Sequence, residues 1–114
     1  MKIEEGDIVI APFRYMENEE KKLRPCLVWE INPVAVTLVY ITSQKLDKAF
    51  DTEVVLSDQD AEAIGLKMAS RIDFNKTDEC LIVDVVKVVG RISSLPRPKL
   101  SECFSSVKAA RLDE

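Results

Sequence analysis

The chain has 114 residues and a mass of 12.9 kDa, the size of a single domain. Its 46% hydrophobic and 32% charged residues are ordinary for a globular protein and exclude a disordered or fibrous chain. The 16 basic and 20 acidic residues give a net charge of -4, which by itself argues against nucleic-acid binding.

Three β-strands are predicted in the first part of the chain. A turn at Gly6-Asp7 precedes a β-branched, apolar strand at residues 7–12. A charged loop over 16–22 leads to a second strand at 25–31, whose first residue, Pro25, needs no amide hydrogen there. After a turn at 32–33, residues 34–41 form the third strand.

The second half of the chain alternates strands with helices. Residues 53–56 are a short fourth strand, and a small helix fits between a capping pattern at 57–60 and Gly65. Residues 67–74 and 82–92 indicate a fifth and a long sixth strand. After the break at 95–98, apolar residues at helical spacing predict a C-terminal amphipathic helix: Leu100, Cys103, Phe104, Val107 and Leu112, with Arg111.

This order predicts a mainly β fold, a small barrel with a short helix and a C-terminal helix, in one domain over 1–114. Three scattered cysteines without a CxxC pair indicate reduced thiols, and we find no signal-peptide pattern or membrane-length apolar run. A cytoplasmic protein is therefore expected. The chain has no histidine, which excludes Ser-His-Asp and Cys-His catalysis and histidine metal sites.

The charges are unevenly distributed along the chain. Residues 21–48 and 67–99 each carry a surplus of three positive charges, whereas 1–20 and 49–66 are acidic. Because salt screens charges beyond about 8 Å, a basic groove on this acidic protein is possible. Solvated faces that happen to differ in charge are the alternative.

Several segments together resemble the PemK/MazF-like toxin family. They are Gly6-Asp7-Ile8-Val9, Lys22-Leu23-Arg24-Pro25-Cys26-Leu27-Val28 and Ile41-Thr42-Ser43, and later pieces follow in family order over nearly the whole chain. The resemblance implies an SH3-like barrel of the PemK/CcdB type, a homodimer and a cognate antitoxin as partner. It also implies a cytoplasmic endoribonuclease that cuts single-stranded mRNA without a metal or other cofactor.

Such cleavage uses the 2′-hydroxyl as nucleophile and needs a base, an acid and cationic donors to the phosphate. By the family pattern, Arg24 and Thr42 are the expected phosphate donors. Arg24 can hold two phosphate oxygens with its planar fork. The alternatives are an edge arginine paired with a loop glutamate, and a threonine chosen for β-propensity.

The general base is left open by the residues themselves. Arg71 and Asp73 lie on the same face of a strand by period-two alternation. They resemble the Arg-x-Asp arrangement of the Kid branch of the family, which implies Asp73 as base and Arg71 as its partner. A plain cross-strand ion pair is the alternative.

Further RNA contacts are expected along the same surface. Phe13 and Tyr15 are candidates for base stacking, although they could instead form a lid over the barrel end, and Trp29 is expected in the core. The remaining RNA-binding candidates are Lys21, Lys22, Ser43, Gln44, Lys45 and Lys76.

Two other functions remain open at this point. The acidic 17–20 loop and the missing histidine are compatible with a non-catalytic, protein-binding member of the same fold. A CcdB-like toxin that poisons gyrase is the second alternative.

Overall fold

β-Branched segments build one antiparallel sheet with two helices against it. The computed structural model describes residues 2–47 and 50–114. Within these ranges the chain forms six strands and two α-helices: β1 Asp7–Phe13, β2 Lys22–Ile31, β3 Ala35–Thr42, β4 Glu53–Leu56, α1 Asp58–Ala63, β5 Ser70–Leu81, β6 Lys87–Arg91 and α2 Arg97–Ala110.

The sheet has the strand order β4-β5-β3-β2-β1-β6 and curls into a half-barrel. The curl is visible in the contact of β1 with β5, although two strands separate them in the sheet. One face packs against α1 and α2 around Ile41, Leu56, Ile64 and Ile72. The other face buries a second apolar cluster that includes Phe13, Leu38, Tyr40 and Val85. The predicted mainly β fold with two helices is confirmed.

The helix α1 begins and ends as its sequence predicts. The Ser57 side chain accepts a hydrogen bond from the Asp60 N–H at 3.1 Å, which caps the first turn. After the last turn, Gly65 adopts a φ of +88°, a conformation that residues with a Cβ rarely adopt. Ile64 and Gly65 then lie directly on Val89 and Gly90 of β6.

Three of the predicted strands have different boundaries in the structure. Strand β2 begins at Lys22, so Pro25 lies inside it. Strand β5 runs over Ser70–Leu81, because the polar residues after Phe74 still pair with β3 beyond a bulge. The predicted long strand at 82–92 is divided: Ile82–Asp84 forms a single 3-10 turn and only Lys87–Arg91 is strand. Its apolar composition suggested continuous strand, but the chain turns at this point between β5 and β6.

Helix α2 forms as predicted, with one difference on its apolar face. Cys103 and Val107 are buried against the sheet, whereas Phe104 is 69% exposed. The helix ends at Arg111, which adopts the left-handed conformation with φ of 59°. Within the described residues, no helix has the length and apolar character needed to cross a membrane.

The three cysteines are free and buried, as expected for structural thiols. Burial raises the pKa of the Cys103 thiol to about 11 and also raises the pKa of Cys80. Their thiolate fraction at neutral pH is therefore very small, which makes them poor nucleophiles.

The contact between the two glycine-containing segments predicts a large stability loss for Gly90→Ala. A Cβ on Gly90 would lie 2.1 Å from the Ile64 carbonyl oxygen, and backbone atoms cannot move aside as a side chain could. We expect a loss of about 3 kcal/mol or more in the free energy of unfolding, measured by urea titration.

Gly6→Ala is the matched control for this experiment. Gly6 has a positive φ of +91°, but its Cβ would have only side-chain neighbours, at 3.4 Å. It should cost only the backbone strain, about 1–2 kcal/mol. Equal losses in the two variants would contradict a steric role for the contact.

Candidate functional site

The hydrogen-bond ladder between β2 and β3 stops before the end of both strands. The last paired residues are Cys26 and Tyr40. Pro25 is paired with Ile10 of β1. The Ile10 carbonyl accepts the N–H of Val86, just before β6, at 2.8 Å, so the backbone polar groups of Ile10 face β6 and not β2. In an antiparallel pair the Pro25 nitrogen then faces β3, where it has no hydrogen to donate. The two strands therefore separate beyond this point.

A groove of about 550 Å³ opens where these strands separate. Arg24 and Thr42 would be opposite each other if the ladder continued, and both line the groove. These two residues belong to one wall of the groove. The second wall is formed by the segment after α1 and by β6, and it includes Leu66 and Val89. The structure thus brings two of the predicted catalytic residues into one concave site.

The Arg24 guanidinium is fixed by three neighbours. Its Nη2 lies 3.0 Å from Glu19 Oε1, and its Nε donates to the Phe13 carbonyl at 3.3 Å. The guanidinium carbon lies 5.6 Å from the centre of the Tyr40 ring. With 21% of its side chain exposed, Arg24 is half-buried. The pairing with a loop glutamate, the alternative that the sequence left open for Arg24, is thus observed.

Glu19 also organises the loop that carries it. Its Oε1 accepts hydrogen bonds from the Tyr15 N–H at 2.7 Å and the Met16 N–H at 3.2 Å. The Tyr15 bond is the largest cause that lowers the pKa of Glu19 below its ordinary 4.5, with Met16 and Arg24 adding to it. The interaction is therefore complete at neutral pH and is lost only as the pH falls through this lowered pKa.

The sequence offered a loop glutamate as a partner of Arg24 but did not single out Glu19. The hairpin between β1 and β2 is the signal that could have identified it. Arg24 pairs with Ala11 across this hairpin, so a loop residue five positions earlier can fold back onto its side chain.

Thr42 lies at the end of β3, half-buried beside the groove. Its Oγ1 accepts a hydrogen bond from the Gln44 N–H at 3.2 Å, which leaves the hydroxyl hydrogen to donate elsewhere. Ser43, Gln44 and Lys45 are exposed just after it. Only Ser43 of these three lines the groove.

Arg71 and Asp73 lie on the same sheet face as Thr42 and Tyr40, but they do not line the groove. Arg71 forms an ion pair with Glu53 of β4, and its Nη1 lies 4.0 Å from Asp73 Oδ2. The two residues are only 8% and 9% exposed. This buried cluster gives the cross-strand ion pair more support than the predicted acid–base pair. In the described part of the chain, no three acidic or thiol side chains converge as metal ligands.

The predicted stacking residues differ sharply in exposure. Phe13 is fully buried, so neither face of its ring is open to a base, and the prediction that it stacks on RNA is not supported. Tyr15 is 37% exposed, packs at 4.6 Å on Tyr40, and carries the Lys76 ammonium 5.1 Å from its ring centre. Tyr15 remains a stacking candidate, whereas Trp29 packs half-buried against the core, as expected.

The lysines predicted to bind RNA differ in whether the protein itself engages their charge. Lys22 is exposed at the start of β2, whereas Lys21 is held by Asp78 at 3.4 Å and by the Glu79 carbonyl. Two lysines that the sequence did not single out, Lys67 and Lys87, line the groove.

The fold agrees with the family comparison. A family model described as "PemK-like, MazF-like toxin of type II toxin-antitoxin system" matches residues 4–110. The chain therefore belongs to this family of toxins. No curated protein sequence matches it.

Solved structures with the same fold include mycobacterial proteins. The Mycobacterium tuberculosis toxin MazF-mt6 superposes with a TM-score of 0.68 at 22% identity, over 92% of this chain and 95% of that chain. A mycobacterial endoribonuclease in complex with its cognate antitoxin gives a TM-score of 0.66 at 12% identity, over 93% and 91% of the two chains. At these identities the likeness is one of fold.

The contacts of Glu19 predict that this carboxylate keeps the β1–β2 loop closed. In Glu19→Ala, the Tyr15 and Met16 amides lose their acceptor, so limited chymotrypsin cleavage after Tyr15 should become several-fold faster. Glu20→Ala, which removes the exposed neighbouring carboxylate, should cleave at the wild-type rate. Equal rates in all three proteins would show that the loop is held by something else.

Proposed function

We propose that this toxin is an endoribonuclease that cuts single-stranded mRNA through attack of a 2′-hydroxyl on the adjacent phosphate, without a metal. The juxtaposition of Arg24 and Thr42 in one groove is the observation that carries the proposal. The 2′-hydroxyl gives its proton to the base and its oxygen bonds to phosphorus. The bond to the 5′-oxygen breaks, and this oxygen takes a proton from water, so the products carry a 2′,3′-cyclic phosphate and a 5′-hydroxyl.

Arg24 supplies the charge that the transition state needs. Its guanidinium is always protonated and can give two parallel hydrogen bonds to phosphate oxygens. The Phe13 carbonyl and the Tyr40 ring hold the side chain in position before substrate arrives. The Thr42 hydroxyl adds a neutral hydrogen bond to the same phosphate, so neither group has to move far during the reaction.

Glu19 is the carboxylate best positioned to be the base. Glu19 Oε1 lies 3.0 Å from Arg24 Nη2, so this carboxylate, which is ionised at neutral pH, would adjoin an RNA phosphate bound to the guanidinium. The like charge of that phosphate opposes the causes that lower the pKa of Glu19, so the carboxylate becomes a better proton acceptor in the complex. Asp73, the base expected from the Kid-like pattern, would have to act from a buried position beside Arg71.

The partners and location follow as parts of the same proposal. A homodimer is supported by exposed apolar side chains outside the groove, such as Val83 and Val86. A cognate antitoxin would silence the toxin by covering the groove, as an acidic segment that competes with RNA for Arg24. The substrate and the three free thiols support a cytoplasmic location.

The ion pair between Arg24 and Glu19 also supports the second candidate, a non-catalytic member of the family that binds protein. In that case Glu19 would be a structural partner of Arg24 rather than a catalytic base.

A cleavage assay in EDTA separates these two functions. The purified protein should cut a pool of unpaired RNAs of varied sequence, and Arg24→Ala should reduce the rate about 10²–10³-fold, because it removes a charged transition-state donor. Arg97→Ala, which removes an exposed arginine on α2, is the matched control and should retain wild-type activity. A folded wild-type protein that cuts no RNA would overturn the proposal and favour the binding module.

The identity of the base can be tested by two isosteric substitutions. If Glu19 is the base, Glu19→Gln should lower the cleavage rate about 10²–10⁴-fold, whereas Asp73→Asn should leave the rate of the folded protein near that of wild type. Thermal unfolding of both variants checks that the buried cluster around Asp73 survives. Wild-type or faster cleavage by Glu19→Gln would exclude Glu19 and return the role to Asp73.

A further inference from the structure

The groove has a cationic second wall that only the folded chain assembles. Lys67 lies two residues after Gly65, and Lys87 lies two residues before Val89. The close contact between Gly65 and Val89 brings these two segments together, and both lysines are exposed in the same groove as Arg24 and Thr42. The two lysines are twenty positions apart in sequence, so no local pattern marks them as neighbours of one site.

The charges of these two lysines are not compensated by the protein. Within the described residues, neither ammonium has a carboxylate within 4.0 Å, whereas Arg24, Lys21, Arg91 and others each have one. No aspartate or glutamate is among the described residues that line the groove, although the whole chain has a net charge of -4. Uncompensated cations in a concave surface concentrate the field and attract an anionic chain.

The groove that holds these cations also has apolar lining. Ile10, Ile41, Leu66 and Val89 line it together with Arg24 and the two lysines. A groove that combines cations with apolar surface matches a single nucleic-acid strand, in which phosphates alternate with sugars and unpaired bases. A small anion would use one charge and leave the apolar surface uncovered.

We propose that Lys67 and Lys87 bind phosphates of the RNA strand that flank the phosphate held by Arg24. This inference rests on the proposed endoribonuclease function and extends its site across the groove. The two ammonium groups act as point charges, so they add affinity for any sequence and do not select bases.

The salt dependence of binding tests this directly. The probe is a single-stranded oligonucleotide with 2′-O-methyl groups, which removes the nucleophile and prevents cleavage. Each phosphate contact on a single strand contributes about 0.7 to the slope of log affinity against log salt. Lys67→Gln and Lys87→Gln should each lower this slope by about 0.7, and the double variant by about 1.4, equally for two unrelated sequences.

Lys108→Gln is the matched control. It removes the same charge from an exposed position on α2 that does not line the groove, and it should keep the wild-type slope. Wild-type slopes in both groove variants, with RNA cleavage by the wild type intact, would overturn this inference alone. A wild type that neither binds the oligonucleotide nor cuts RNA would overturn the proposed function together with it.

Discussion

The groove depends on one backbone-to-backbone contact between the two ends of the curled sheet. The chain leaves the edge strand β4, forms α1, and then lies with Ile64 and Gly65 directly on β6, the strand at the opposite edge. Neither Gly65 nor Gly90 has space for a Cβ, so the two segments approach more closely than side chains would allow. Without this contact, Arg24 and Thr42 would lie on an open sheet face with no second wall.

Electrostatics explain how an acidic protein can offer a site to an anionic substrate. Its carboxylates lie elsewhere or are engaged: Glu53 is paired with Arg71, and Asp58 accepts the Ala69 N–H at 2.7 Å. Because screening limits each charge to about 8 Å, the groove responds to its own lysines and arginine rather than to the net charge. Glu19 is paired with Arg24 and does not line the groove, and because both side chains are partly exposed this ion pair is a weak one.

The sequence predicted the secondary-structure elements better than it predicted which residues lie close together in the fold. Local signals sufficed for β4, for the Ser57 cap and for Gly65, because each depends on residues a few positions away. Arg24 and Thr42 could be selected from their motifs, and the groove they share agrees with that selection. A loop glutamate was an open alternative for Arg24, but Glu19 itself, Lys67 and Lys87 could not be selected, because their roles depend on a loop folding back and on a contact between distant segments. The long β5 was missed for a similar reason, since its polar end becomes strand only by pairing with β3.

Arg71 stabilises the strands beside the groove without lining the groove itself. Its guanidinium lies between two buried carboxylates, Glu53 and Asp73, and breaking a buried pair of this kind costs about 3–5 kcal/mol. Strand β4 has only four residues, and it is held at its other side by bonds from Lys99 and Ser106 of α2 to its carbonyls. The segment that forms the second wall of the groove begins at this short strand. An Arg71 that turned toward a substrate would leave both carboxylates unpaired and weaken the attachment of β4 to β5. The arrangement therefore favours Arg71 and Asp73 as the anchor of the wall, with the chemistry left to the residues that face the groove.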